Sequence, residues 1–262
     1  MPPTKKPAAL TIAGSDPSGG AGMQADLKTF HQFGVYGEAA VTLITVQNSC
    51  GVQRVECLEP ELVADQIHAV IADIPPQAAK TGALGNRAVV EAVAELARDF
   101  PFPLVVDPVL ASKGGVALLA DGLETLKTFL LPHAFLLMPN LEEASTLSGI
   151  EIRDLAGMRQ ASRKLTTLGP RAVLVKGGHL AGDAVDVLYQ DGVWTEFSSP
   201  RIETRHTHGT GCTFSAAVTA SLASGFELVE AVRRAKRYIT EAIRNNPGLG
   251  RGSGPLEHGA SS

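Results

Sequence analysis

The segment His208-Gly209-Thr210-Gly211-Cys212-Thr213, running straight into the small-residue stretch Phe214 to Ser224, carries the strongest chemical suggestion in the chain. Glycines let the backbone curl so that successive N–H groups face one point. The stretch FSAAVTASLASG reads as a buried helix. Its N-terminus would add unpaired amide donors and the positive end of the helix dipole. Such a turn holds a phosphate, or the charge developing on a phosphoryl group in transfer. Cys212 lies on that turn, so a reactive side chain there would be aimed at the same place. A lone GTGC is also what an ordinary helix start with an inert cysteine looks like, and the rest of the chain has to decide.

Further polar residues stand beside glycines or prolines. Gly14-Ser15-Asp16-Pro17-Ser18-Gly19-Gly20-Ala21-Gly22 reads as a loop whose backbone approaches a ligand, although it is neither a P-loop nor GxGxxG. Asp26 lies one helical turn beyond it with Gln24 nearby, where an Asp is usually solvated or pairs with the dipole. Asn140 and Glu143 have the spacing of a helix cap and its capping-box partner. They also suit a Mg²⁺ shell, because magnesium takes oxygen ligands, often through water. Lys176-Gly177-Gly178-His179 places a lysine where it can meet a nucleotide phosphate as a point charge, or simply end a strand on the surface. Asp107-Pro108 offers a carboxylate on extended backbone, facing magnesium or capping a turn. Lys113-Gly114-Gly115 lies in a loop suited to a lid.

Short apolar runs alternating with amphipathic segments predict repeated βα units. Strands are expected at Ala8–Ala13, Glu38–Val46, Ala78–Thr81, Leu104–Val106, Phe135–Met138 and Ala172–Lys176, with Val52–Leu58 extended but outside the main sheet. Ala184–Tyr189 and Trp194–Phe197 read as a hairpin around Gln190-Asp191-Gly192. Helices are expected at Ala21–Phe33, Pro60–Ala72, Asn86–Arg98, Leu123–Leu130, Leu141–Leu147, Leu155–Leu168, Thr210–Ala223 and Leu228–Asn245. The polar clusters then fall just past strand ends, on the sheet edge where open α/β proteins bind ligands. With no repeats and no linker, residues 1–262 read as one domain, with residues 1–7 and 259–262 as flexible tails.

Composition narrows the class. Hydrophobic content is 44% against 19% charged, which builds a core and argues against disorder. A net charge of −4 with no basic block speaks against nucleic acid, and no apolar run reaches transmembrane length. Cys50, Cys57 and Cys212 are widely spaced and odd in number, which fits a reducing compartment. The expectation is a soluble, cytoplasmic enzyme acting on a small molecule.

Taken in order, ALTIAGSDPSGGAGMQADLKTF, VQNSCGVQ, AAKTGALG, VVDPV, PNLEEA, VLVKGGH, THGTGCTFSAA and GRGSGPLEH resemble the hydroxymethylpyrimidine/phosphomethylpyrimidine kinase family of thiamin biosynthesis, within the ribokinase-like superfamily. The resemblance runs from about Ala8 to His258. It implies a three-layer α/β fold: a mostly parallel central sheet flanked by helices, with a small β flap. It implies ATP and Mg²⁺, with phosphoryl transfer to the hydroxymethyl group of 4-amino-5-hydroxymethyl-2-methylpyrimidine and then to its monophosphate. By the same resemblance, Gln47 reads the pyrimidine, with Asp26, Gly14 and Ala83 beside the ring. Gly209, Thr210 and Gly211 form the anion hole, and Lys176, Asn140, Glu143 and Lys113 serve the nucleotide. Asp107 and Glu143 serve the metal. Cys212 is the candidate base, activated by a helix N-terminus that lowers its thiol pKa. A homodimer is expected by analogy. Ala83 stands where family members often carry methionine, the lid reads ASKGGVALL with Val116 and Ala117 where an acidic residue and proline are common, and Arg205-His206 replaces a common Lys-Asn.

Two rivals remain. A pyridoxal or pyridoxine kinase would share the chemistry, with Gln47 favouring the pyrimidine. A nucleotide- or vitamin-sensing module with a dead site is disfavoured by intact Asn140, Glu143, Lys176 and Cys212.

Overall fold

A computed structural model describes residues 6–178, 180 and 182–262. Val, Leu, Ile and Ala fill short strands that are buried on both faces, the pattern a parallel sheet needs when helices cover it on both sides. The sheet has nine strands in the order β3-β2-β1-β4-β5-β6-β7-β8-β9. They are β1 (Ala8–Ser15), β2 (Tyr36–Asn48), β3 (Gly51–Cys57), β4 (Ala78–Thr81), β5 (Leu104–Val106), β6 (Leu136–Leu137), β7 (Ala172–Val175), β8 (Ala184–Gln190) and β9 (Val193–Ser199). Pairing is parallel from β2 through β7, and antiparallel for β2–β3, β7–β8 and β8–β9.

On one face lie α2 (Pro60–Asp73), α3 (Arg87–Ala97), the short α4 (Leu123–Thr125), α5 (Leu141–Ser148) and α6 (Leu155–Thr166), closing the larger core. On the other lie α1 (Gly22–Gln32), α7 (Thr210–Ala223) and α8 (Leu228–Arg244). The small residues of α7 let it pack against both α1 and α8, and ten of its residues are buried.

Three expectations need correction. Residues 52–58 do not lie outside the main sheet: β3 is its edge strand, paired antiparallel with β2. Because β2 runs on to Asn48 while its pairing with β1 ends at Ile44, the β2–β3 hairpin projects past the parallel strand ends as a flap. Leu123–Leu130 is not one α-helix. After α4 the chain widens to a π-helical turn over Leu126–Leu130 and tightens to a 3₁₀ turn over Leu131–His133. Pro132 has no N–H with which to continue an α-helix, and Leu126, Leu130 and Leu131 are all buried there. Residues 259–260 are not loose: Ala260 is buried in the core beside α8, and its carbonyl accepts from Gln32 Nε2 at 2.9 Å.

Candidate active site

The parallel strands β1, β4, β5 and β7 end at one edge of the sheet. From that edge rise Asp16, Gly82, Asp107, Asn140 and Lys176, and α7 begins above it. Gly209 caps α7 with φ 81°, and a Cβ there would lie 1.8 Å from Gly20 O. Only glycine fits a left-handed turn pressed so closely on another loop. No side chain caps this helix. Thr210 Oγ1 donates back to Thr207 O at 2.9 Å. The Thr210 amide reaches Thr207 O at 3.4 Å, and the Gly211 and Cys212 amides are left for an anion, as helix geometry dictates.

Beside this turn stands Lys176, whose Nζ lies 2.7 Å from Asp107 Oδ1. Asp107 Oδ2 accepts from Ser215 Oγ at 3.1 Å, which ties the carboxylate to α7. A Cβ on Gly211 would sit 3.4 Å from Lys176 Nζ and 3.7 Å from Asp107 Oδ2, so the anion turn and this ion pair are in contact. Lys176 is only 12% exposed, not the surface lysine of the bland reading. Asn140 and Glu143 form the full capping box: Asn140 Oδ1 accepts from Glu143 N at 2.9 Å, and Asn140 N donates to Glu143 Oε2 at 2.8 Å. Burial pushes the Glu143 carboxyl up to about 7; Lys176 pulls it down and Asp107 pushes it further up. His179 lies outside the described residues.

The acceptor side is built from β1, α1, β4 and the flap. Gly14 packs so tightly that a Cβ would meet Leu43 Cδ1 at 2.5 Å and Ala83 Cβ at 3.6 Å. Ala83 O accepts from Thr42 Oγ1 at 2.6 Å, which anchors it to the flap strand. Asp26 is fully buried rather than solvated: Oδ2 accepts from Lys80 Nζ at 2.9 Å and Thr11 Oγ1 at 2.6 Å, while Oδ1 has no partner among the described residues. Gln47, on the flap, has its Nε2 3.1 Å from His208 Nε2.

Cys212 joins the two halves, and here one expectation fails. Its thiol is not lowered by the helix start. Burial of the thiol is the main cause and holds it up at about 11, with Lys80 pulling down and Asp26 and Asp107 adding to the rise. The residue as a whole is partly open to solvent. Lys113 Nζ donates to Ser253 Oγ at 2.9 Å and to Thr207 Oγ1, so the lid lysine closes on the glycine-rich tail and the approach to α7.

Lys80 is the functional candidate that sequence reading missed. It lies in the wholly buried strand Ala78–Thr81 and reaches Asp26 across 54 residues of chain. A lysine after two alanines in so short a strand was the available signal. Asp16 and His208, 2.8 Å apart through Oδ2 and Nε2, lay inside recognised motifs without an assigned role.

A family profile described as phosphomethylpyrimidine kinase matches residues 16–257. The chain belongs to that family. It is 48% identical over 98% of its length to the hydroxymethylpyrimidine/phosphomethylpyrimidine kinase of Streptomyces coelicolor, covering 96% of that protein. It is equally similar, 48% over 98% of its length, to the thiamine biosynthesis bifunctional protein ThiED of Geobacter sulfurreducens, of which it spans 53%. Among solved structures, an ADP complex of Bacillus subtilis pyridoxal kinase superposes with a TM-score of 0.89 at 40% identity, covering 98% of each chain. The three-layer kinase fold expected from the sequence is the fold observed, and family membership makes the protein a phosphotransferase. No helix among the described residues is long and apolar enough to cross a membrane.

Proposed function

We propose that this protein transfers the γ-phosphoryl group of ATP to the hydroxymethyl group of 4-amino-5-hydroxymethyl-2-methylpyrimidine, and then phosphorylates the monophosphate to the diphosphate, in the cytoplasm. One observation carries the reading: the uncapped start of α7 and the Lys176–Asp107 pair share a sheet edge with the Gln47 and Asp26 side chains. A polyanion fits the first, and a small amino-bearing heterocycle fits the second.

Catalysis is then positioning and charge stabilisation. Gly209, Thr210, Gly211 and Cys212 present main-chain donors to the moving phosphoryl group. Lys176 supplies a positive charge that Asp107 holds in place. Asn140 and Lys113 flank the nucleotide end. Asp107 and Glu143 suit Mg²⁺: a buried carboxyl held near 7 beside a second carboxylate is one that a cation would ionise, and magnesium typically takes one or two carboxylates together with substrate phosphates. Bound there, the ion would neutralise phosphate charge. Gly14, Ala83, Gln47 and Asp26 enclose the ring. Cys212 is the candidate base, with the thiolate a minor form at neutral pH because its thiol sits at about 11. A loose transition state asks little of a base before the bond to phosphorus forms. A homodimer accompanies the reading, with Ile44 and Val46, each 50% exposed on the outer flap face, available for the contact.

The second reading, a pyridoxal kinase, draws on the likeness to the Bacillus subtilis enzyme. Purified protein with ATP and Mg²⁺ is offered hydroxymethylpyrimidine, its monophosphate, pyridoxine and ribose, and ADP release is measured. Turnover on both pyrimidines well above the other two is expected. Turnover on pyridoxine alone would replace the first reading with the second.

A further inference from the structure

His208 touches several walls of the site. Its amide donates to Gly254 O at 3.0 Å, and its ring nitrogen Nε2 lies 2.8 Å from Asp16 Oδ2 and 3.1 Å from Gln47 Nε2. A ring nitrogen carries either a proton or a lone pair, so it cannot serve both neighbours as they stand. Asp16 decides which. It is 3% exposed, and it also accepts from the Ser18 amide and hydroxyl and from the Ala21 amide. Burial pushes its carboxyl up, but the bonds from His208 and Ser18 prevail and hold it down at about 2. A carboxylate at 2.8 Å requires a proton on Nε2. Gln47 must then turn its amide oxygen, not its nitrogen, toward His208.

Thr45 makes the same demand from the other end of the amide. Its hydroxyl has one proton, which goes to Ser15 O at 2.9 Å. Only lone pairs are left toward the amide atom 3.3 Å away, so that atom should be the nitrogen. A half-turn of the Gln47 amide satisfies both neighbours at once.

We propose that His208 is a specificity-determining positioning residue: held in its Nε2–H form by Asp16, it fixes the Gln47 amide with oxygen on the anion-loop side and nitrogen on the Thr45 side. The pocket then takes a ring edge that presents an amino donor beside a ring-nitrogen acceptor, with the amino group toward His208. It rejects the edge with donor and acceptor exchanged. The inference rests on the reading of Gln47 as the residue that meets the pyrimidine.

The test is calorimetric binding to the full chain. The ligands are 4-amino-5-hydroxymethyl-2-methylpyrimidine, its 4-oxo counterpart, and a non-hydrolysable ATP analogue as the reference. Wild type should prefer the amino form by on the order of 10²-fold or more, since the wrong edge leaves buried polar groups unpaired. In His208→Leu the amide is free to turn, and the preference should fall below about tenfold while nucleotide affinity changes by less than about threefold. Asp16→Asn offers an amide N–H to Nε2, frees that nitrogen to accept, and should shrink or reverse the preference without touching Gln47. An unchanged preference in both variants overturns the inference and leaves the proposed function standing. Parallel losses for both pyrimidines and the nucleotide also overturn it, because His208 would then be a loop brace alone. Wild type that binds neither pyrimidine sinks the functional reading and the inference together. Nitrogen NMR of wild type needs no variant: a bare Nε2 on His208 refutes the proposal, and a protonated one supports it.

Discussion

Two buried lysine–carboxylate pairs stand on either side of Cys212, and they differ in one respect. Lys80 and Asp26 are sealed, both side chains 0% exposed, whereas Lys176 keeps 12% of its side chain open beside the start of α7. Charges buried without solvent are costly unless paired, so removing one partner leaves the other stranded. A pair with an open side can instead exchange part of its contact for an incoming anion. The sealed pair sets the field and shape of the acceptor side; the open pair is where a polyanion can be received.

The sharpest way to break this contrast is Lys80→Met. It strands a buried carboxylate and should cost about 3–5 kcal/mol of stability, read by urea unfolding. A loss below about 1 kcal/mol would mean that Asp26 takes up a proton easily, and the sealed pair would not be an electrostatic anchor. Lys176→Met should show the reverse balance. Turnover should fall by about 10²–10³, the scale of removing one preorganised positive or donor group, with a smaller effect on unfolding. If Lys176→Met unfolds as readily as Lys80→Met, the two pairs are alike and the contrast fails.

Cys212→Ala tests the residue between them. It should lower kcat by about 10²-fold, the low end for losing a general base, while nucleotide affinity holds. With the thiol at about 11, a thiolate base predicts that wild-type kcat/KM keeps climbing with pH through the neutral range. A flat wild-type profile, or near-normal kcat in the variant, removes Cys212 as the base.

Smaller effects come from single carboxyls. Asp16 is lowered from 3.8 to about 2, so its contribution is present above about 4 and is lost as pH falls through about 2. Asp16→Asn should cost about 1 kcal/mol at neutral pH and flatten that acid limb, as seen in thermal unfolding from pH 2 to 5. Glu38 lies far from the site, near the start of β2, and is the opposite case. Burial, then Asp73, raise it from 4.5 to about 7. The folded state binds the proton more tightly, so stability falls as pH rises from about 4.5 to 7. Glu38→Gln should therefore stabilise the protein at pH 8 by on the order of 1 kcal/mol and do nothing at pH 4. An unshifted midpoint at pH 8 would show that this carboxyl is solvated.

Much of the scaffold was legible because its signals are local. The capping box at Asn140 and Glu143, the Asn86 cap of α3 and the hairpin turn at Asp191-Gly192 depend on residues a few positions apart, and all are present. The edge strand β3 was misjudged because a half-exposed strand has no strong pattern, and its place depends on pairing with β2. The break after α4 escaped because Leu126, Leu130 and Leu131 fit a helical face equally well until Pro132 interrupts the bonding.

The order of residues alone determined the alternation of strands and helices, the collection of polar loops at one sheet edge, and the family to which the chain belongs. The tertiary structure decided which charges face one another. Lys80 finds Asp26 across 54 residues, Lys176 finds Asp107 across 69, and His208 reaches Gln47 across 161. Burial and Coulomb energy depend on distance in space rather than along the chain. For that reason the lysine beneath Cys212 and the raised thiol came into view only with the fold.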